Sequence, residues 1–182
     1  MARKSLTQIL ADAAVAFPDN TTELITPAIL RAWIGDFVAA IRPAYGLISL
    51  VSAAQAVTTT PQPLVMNVSQ LSPVIDYTLT PALSRAVRLE PGMTRITFNA
   101  DVNGVNNQTV SFVLFKDGVD SGWRITVFMS AVTNTESVSL VAMVYSSSTA
   151  TYELRVACTA NATLTFSNVI LLCETVLVWD YT

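Results

Sequence analysis

The spacing of hydrophobic positions changes near residue 60. Before it, apolar residues recur every three or four positions. Leu6, Ile9, Leu10, Ala13, Ala14 and Phe17 share one helical face, and Ser5 suits the N-cap, so a helix is predicted over 5–17. Phe17-Pro18-Asp19-Asn20 then interrupts with turn chemistry. A second helix is predicted from Thr26-Pro27. Thr caps it, and Pro takes the first helical position, where its missing N–H is harmless. Ile29, Leu30, Trp33, Ile34, Phe37, Val38 and Ile41 form a broad apolar face, and Pro43 and Gly46 end the helix. The polar stripe of Arg31, Asp36 and Arg42 is narrow. Two helices cannot bury so much apolar surface between themselves. Leu24, Ile25, Leu30, Trp33, Ile34 and Phe37 are therefore predicted to pack on another subunit or another protein.

Residues 47–63 read as an extended connector, stiffened by Thr58-Thr59-Thr60-Pro61-Gln62-Pro63. From Leu64 onward the period drops to two. Strands are predicted over 64–68, 84–89, 94–101, 109–116, 122–131, 137–145, 151–158 and 168–178, with a short one near 163–166. Val110, Phe112 and Leu114 share a face. So do Tyr152, Leu154, Val156 and Cys158, with Glu153 and Arg155 opposite. Asp117-Gly118 and Asn103-Gly104 mark turns. Strands at this spacing, rich in Ser, Thr and Val, predict a mainly β fold, an antiparallel sandwich or jelly roll. Residues 169–178 are apolar on both faces. One face of a two-layer sandwich is normally solvated, so this strand's outer face is expected to meet another subunit. The organisation predicted is a helical docking or oligomerisation segment (1–46), a linker (47–63) and a β head (64–182).

Composition sharpens that expectation. Hydrophobic residues make up 52% of the chain, charged residues 13%, and mean hydropathy is +0.49. A typical soluble domain carries about 25% charge. A membrane is one way to cover the excess, but Arg31 and Asp36 interrupt 28–41 and Glu174 interrupts 169–179. Neither reaches the roughly 20 clean residues of a spanning helix. Burial between subunits is the better reading. No signal peptide is expected, since Ser5, Thr7, Gln8 and Asp12 follow Arg3 and Lys4 where an apolar run would stand. Nucleic acid is disfavoured as a partner. Residues 1–46 carry four basic and four acidic groups, the remainder six and nine, and neither part is a dense basic patch.

Candidate chemistry is sparse. The chain has no histidine, which removes Ser-His and Cys-His nucleophilic schemes and most zinc sites. Cys158 and Cys173 are too few for a metal site or a disulfide scaffold. They read as buried free thiols, with a bridge open to them if their strands pair. The six glycines are scattered, without a phosphate-binding loop. Asp76, Asp101, Glu136 and Glu153 could supply a two-carboxylate glycosidase pair by type alone; solvated strand ends and turns are the preferred reading. Asp117-Gly118-Val119-Asp120 offers too few oxygens for calcium and reads as a plain hairpin. Trp123 is either a strand-end core aromatic or an exposed ligand-stacking residue. Trp179 and Tyr181 stand at a C-terminal edge. No enzyme activity, metal or cofactor is expected.

Two stretches carry resemblances. Met93-Thr94-Arg95-Ile96-Thr97-Phe98, Val110 through Gly118 and Tyr152-Glu153-Leu154-Arg155-Val156 resemble the trimeric jelly-roll heads of the tumour-necrosis-factor/complement-C1q type, which also occur on bacteriophage fibres and capsid decoration proteins. Phe17-Pro18-Asp19-Asn20-Thr21-Thr22-Glu23-Leu24-Ile25-Thr26-Pro27, with Leu30-Arg31, resembles segments near the start of phage virion proteins, departing at Glu23-Leu24, where a small residue is the norm. Together they imply a homotrimeric virion structural protein, a capsid decoration, cement or head-fibre protein. Its N-terminal part would bind the major capsid protein or another virion protein. The alternative is a receptor-binding fibre tip recognising a host surface glycan or protein. Its loops would be 103–108, 117–123, 133–136 and 146–150, read as one cluster at the far end of the head.

Overall fold

The computed structural model describes residues 11, 12, 15, 27–41, 44–71 and 77–176. Of the helix predicted over 5–17, Ala11, Asp12 and Val15 are in this set and are helical. The rest of that segment lies outside the described residues, as do Leu24, Ile25, Asp76, Trp179 and Tyr181. The second predicted helix is present as α1 (Pro27–Ile41).

Among the described residues, eleven strands follow. They are β1 (Tyr45–Val57), β2 (Gln62–Pro63), β3 (Val68–Leu71), β4 (Tyr77–Thr80), β5 (Arg85–Arg88), β6 (Gly92–Asn103), β7 (Gln108–Lys116), β8 (Val119–Met129), β9 (Glu136–Ser146), β10 (Ala150–Cys158) and β11 (Ala162–Val176). They form two antiparallel sheets, ordered β3-β1-β11-β6-β9 and β4-β5-β10-β7-β8, with β2 added to β10. This is the predicted mainly β jelly roll.

The core follows from the period of two. Ile96, Phe98, Ala100 and Val102 of β6 point inward, and so do Val110, Phe112 and Leu114 of β7 and Tyr152, Leu154 and Val156 of β10. Phe112 joins the sheets: its ring lies 5.1 Å from Phe98 and 6.1 Å from Phe166, edge-on to the latter. Each buried Val, Leu, Ile or Phe among them contributes roughly 1.5–3 kcal/mol.

The segment read as a connector contains β1, which pairs with β11 along its whole length and with β3 at its start. Alanines at 53, 54 and 56 give its second half little intrinsic strand preference; pairing with β11 compensates. The strand predicted over 64–68 is displaced to Val68–Leu71. Leu64 and Met66 are buried, and Leu64 donates its N–H to the Leu154 carbonyl (3.2 Å). The two strands predicted over 163–166 and 168–178 are one strand, β11, with a bulge at Asn168.

Candidate functional site

The solvent face of the five-stranded sheet is where the apolar excess surfaces. Register places Gln70, Leu47, Leu172, Thr97 and Val141 in one row across it. With strands about 4.8 Å apart, that row spans roughly 19 Å. One neighbouring row is Val68, Ser49, Ile170, Asn99 and Ser139, and the other is Tyr45, Glu174, Arg95 and Met143. Beyond these stand Val176, Met93 and Tyr145. Val141 is 53% exposed and Tyr145 61%. The doubly apolar character predicted for β11 is therefore real. Val169, Leu171 and Cys173 enter the core, while Ile170 and Leu172 face outward. Arg95 donates to Glu174 Oε2 from Nε (2.8 Å) and Nη2 (2.6 Å), an ion pair set within this face.

A second, smaller apolar feature lies where edge strands β8 and β9 meet. A shallow hollow of about 250 Å³ is lined by Lys116, Val119, Asp120, Ser121, Trp123 and Val144. Trp123 has the same parity as the inward-facing Ile125 and Val127, yet remains 42% exposed at the open edge. It is thus an exposed strand-end aromatic and not the core residue of the preferred reading. On α1, Leu30, Ile34 and Phe37 are exposed, and Trp33 stacks on Phe37 with centroids 5.8 Å apart. Those four candidate contact residues therefore sit on one accessible helix.

The carboxylates are dispersed. Asp101 lies on the five-stranded sheet, where it accepts from Ser137 Oγ (2.5 Å) and Asn168 Nδ2 (2.7 Å). These bonds hold its carboxyl below the usual range. Glu136 pairs with Val102 near it. Glu153 lies on the other sheet, bonded to Arg85 and Arg155. Burial is the largest single influence on Glu153 and raises its carboxyl, but the two arginines together outweigh it and the net shift is downward. Asp117 and Asp120 brace the β7–β8 hairpin: Asp117 Oδ1 accepts from Thr151 N (2.7 Å), and Asp120 accepts from Gly122 N (2.8 Å) and Arg124 Nη2 (2.6 Å). Cys158 and Cys173 are buried free thiols in strands of different sheets. Burial, with the Glu174 charge second, pushes the Cys173 thiol up to about 12.

The four loops grouped as one cluster are divided between two ends. Loop 103–108 lies against β11 at Thr163 and Leu164, at the end that also holds 130–135 and 158–162. The Asp117 turn and loop 146–150 lie at the opposite end, where Asp117 N bonds Thr151 O and Thr149 Oγ1 bonds Leu89 O. Antiparallel hairpins alternate ends, which is why sequence position alone misgrouped them. Strand β1 starts at this second end, directly after α1.

No protein-family model and no curated protein matches this chain. Solved structures do. The globular domain of zebrafish complement 1qA matches with a TM-score of 0.52 at 12% identity, over 76% of this chain and 100% of that one. Eiger TNF from S. frugiperda matches at 0.52 and 16%, over 78% and 98%. Murine APRIL matches at 0.52 and 13%, over 74% and 100%. The head is a TNF/C1q-like jelly roll. At these identities the likeness is one of fold.

Proposed function

We propose that this chain is a homotrimeric virion structural protein, a capsid decoration, cement or head-fibre protein. In this reading the role is mechanical and non-catalytic, and the protein works on the particle. Residues 1–46 attach it to the major capsid protein or another virion protein through Leu24, Ile25 and the α1 residues Leu30, Trp33, Ile34 and Phe37. The TNF/C1q-like head is displayed outward. The observation that carries the self-association is the apolar solvent face of the five-stranded sheet, centred on Leu47, Ile170, Leu172 and Val141. A closed ring of three requires each copy to offer two different surfaces. The sheet face is one, and the β8–β9 edge with Trp123 and Val119 is the other. The resemblance of residues 17–31 to phage virion segments supports the particle assignment.

A receptor-binding tip would use the same head. The end opposite the start of β1 offers mainly Asn, Gln, Thr, Ser, Gly and Ala at 103–108, 130–135 and 158–162, with Val105 buried and Val132 and the neighbouring Phe128 exposed. Those three loops carry no charged and no aromatic side chain, which favours decoration. Light scattering on the purified chain tests the reading. A mass near three times 19.6 kDa is expected, followed by saturable binding to bare capsids. A monomer would remove the support for the assembly.

A further inference from the structure

The solvent face of the β4-β5-β10-β7-β8 sheet holds an arginine cluster. Register sets Glu153 between Arg85 and Phe115, and in the next row sets Val113 between Arg155 and Arg124. Glu153 and Val113 have outward parity, yet they are only 2% and 4% exposed. Their cross-strand neighbours include Arg85, Arg155 and Arg124, whose long stems are suited to covering such positions. Glu153 Oε2 accepts from Arg85 Nε (3.2 Å) and Nη2 (2.7 Å), and its Oε1 accepts from Arg155 Nε (2.5 Å). The Arg155 guanidinium lies 4.1 Å over the Phe115 ring.

One arginine would suffice to neutralise Glu153. The second leaves a net positive charge at a half-buried place, which is unfavourable unless a further anion compensates it. Arg155 is moreover held flat, by the ring beneath and Glu153 at Nε. Its two Nη nitrogens make no hydrogen bond among the described residues. A guanidinium fixed in this way is prepared for bidentate contact with a carboxylate, sulfate or phosphate. Across Val113, about 10 Å away by strand spacing, stands Arg124, engaged by Asp120 through Nη2 alone. Three of the six basic residues beyond position 46 thus share one face of a chain whose net charge is −3.

We propose that Arg155, Arg124 and Arg85, arranged around Glu153 and Val113, form a binding site for a compact oxyanion: a carboxylate, sulfate or phosphate group. The anion lies over Val113 and receives N–H donors from Arg155 and Arg124, while Glu153 keeps Arg155 in place. The site lies on the sheet opposite the apolar face and does not depend on the particle assignment. Arg124 and its partner Asp120 belong to β8, whose edge is the second surface of the proposed trimer, while Arg85 and Arg155 lie on the inner strands β5 and β10.

Equilibrium dialysis of radiolabelled sulfate against the full chain, at constant ionic strength, tests it. One saturable sulfate per chain is expected. Arg155→Lys keeps the charge but loses the fork, and binding should weaken about tenfold or more. Arg124→Ala leaves the Glu153 pairs intact and should weaken binding several-fold. Competition by phosphate and by methyl glucuronide identifies the source of the group: the stronger competitor marks a phosphate ligand or an acidic saccharide. If sulfate, phosphate and glucuronide all fail to saturate the wild type, or if both variants bind as the wild type does, the site does not exist.

Discussion

At the scale of single residues, two positions bear disproportionate weight. The Glu153 carboxyl sits below its ordinary value of 4.5, so the ionised form is favoured by folding. Its contribution is fully present above 4.5 and is lost as pH falls through the lower folded value. The denaturant midpoint should therefore hold from neutrality to about pH 5 and decline below 4.5, and Glu153→Gln should flatten that decline while lowering the plateau. A variant whose acid limb matched the wild type would show that other carboxylates dominate. Gly104 is constrained by the backbone: its φ is +115°, and a Cβ there would stand 2.8 Å from the Thr163 carbonyl oxygen. No side-chain movement relieves that contact. Gly104→Ala should cost about 1–3 kcal/mol, read as a lower urea midpoint at unchanged slope.

At the scale of elements, β11 shows what the sequence conceals. It buries Leu164 and Phe166 in one half and Val169, Leu171 and Cys173 in the other, a change of parity that a regular strand cannot make. One extra residue at the bulge restores the alternation. Asn168 takes it up at φ 50° and donates Nδ2 to Asp101 (2.7 Å). Asn168→Val puts a β-branched residue in the left-handed region and removes that bond. About 2–4 kcal/mol should be lost, seen in thermal unfolding. In the sequence the break in parity looked like two strands. Strands β6, β7, β9 and β10 were legible because their alternation is unbroken and one face is buried. Strand β1 was not, because its alanines carry no β signal and its stability comes from β11, more than a hundred residues away. The outward apolar face was legible in β11 alone. Its extent depends on register across five strands, which no local pattern encodes. The arginine cluster was equally hidden: Glu153 and Arg155 were visible as the outer side of β10, but Arg85, Phe115 and Arg124 reach them only through pairing.

At the scale of the whole molecule, the two apolar surfaces are separable, and so are the roles assigned to them. The sheet face is anchored by the core behind it: Ile170 and Leu172 alternate with buried Val169, Leu171 and Cys173. In the proposed trimer, a charge placed there would meet the neighbouring copy but leave the interior untouched. Helix α1 precedes β1, and its exposed Ile34 is 46% accessible. A charge there alters only what the helix touches. Ile170→Asp should therefore shift the light-scattering mass from trimer toward monomer while circular dichroism keeps its β signature. It should also weaken particle binding, because three linked contacts fall to one and avidity is lost. Ile34→Asp and Trp33→Ala should leave the mass at three copies and weaken attachment directly. The double dissociation carries the conclusion. If Ile34→Asp dissolved the trimer, α1 would belong to the oligomer interface instead of the particle contact. If Ile170→Asp left the mass unchanged, the apolar sheet face would not be the surface that joins the copies.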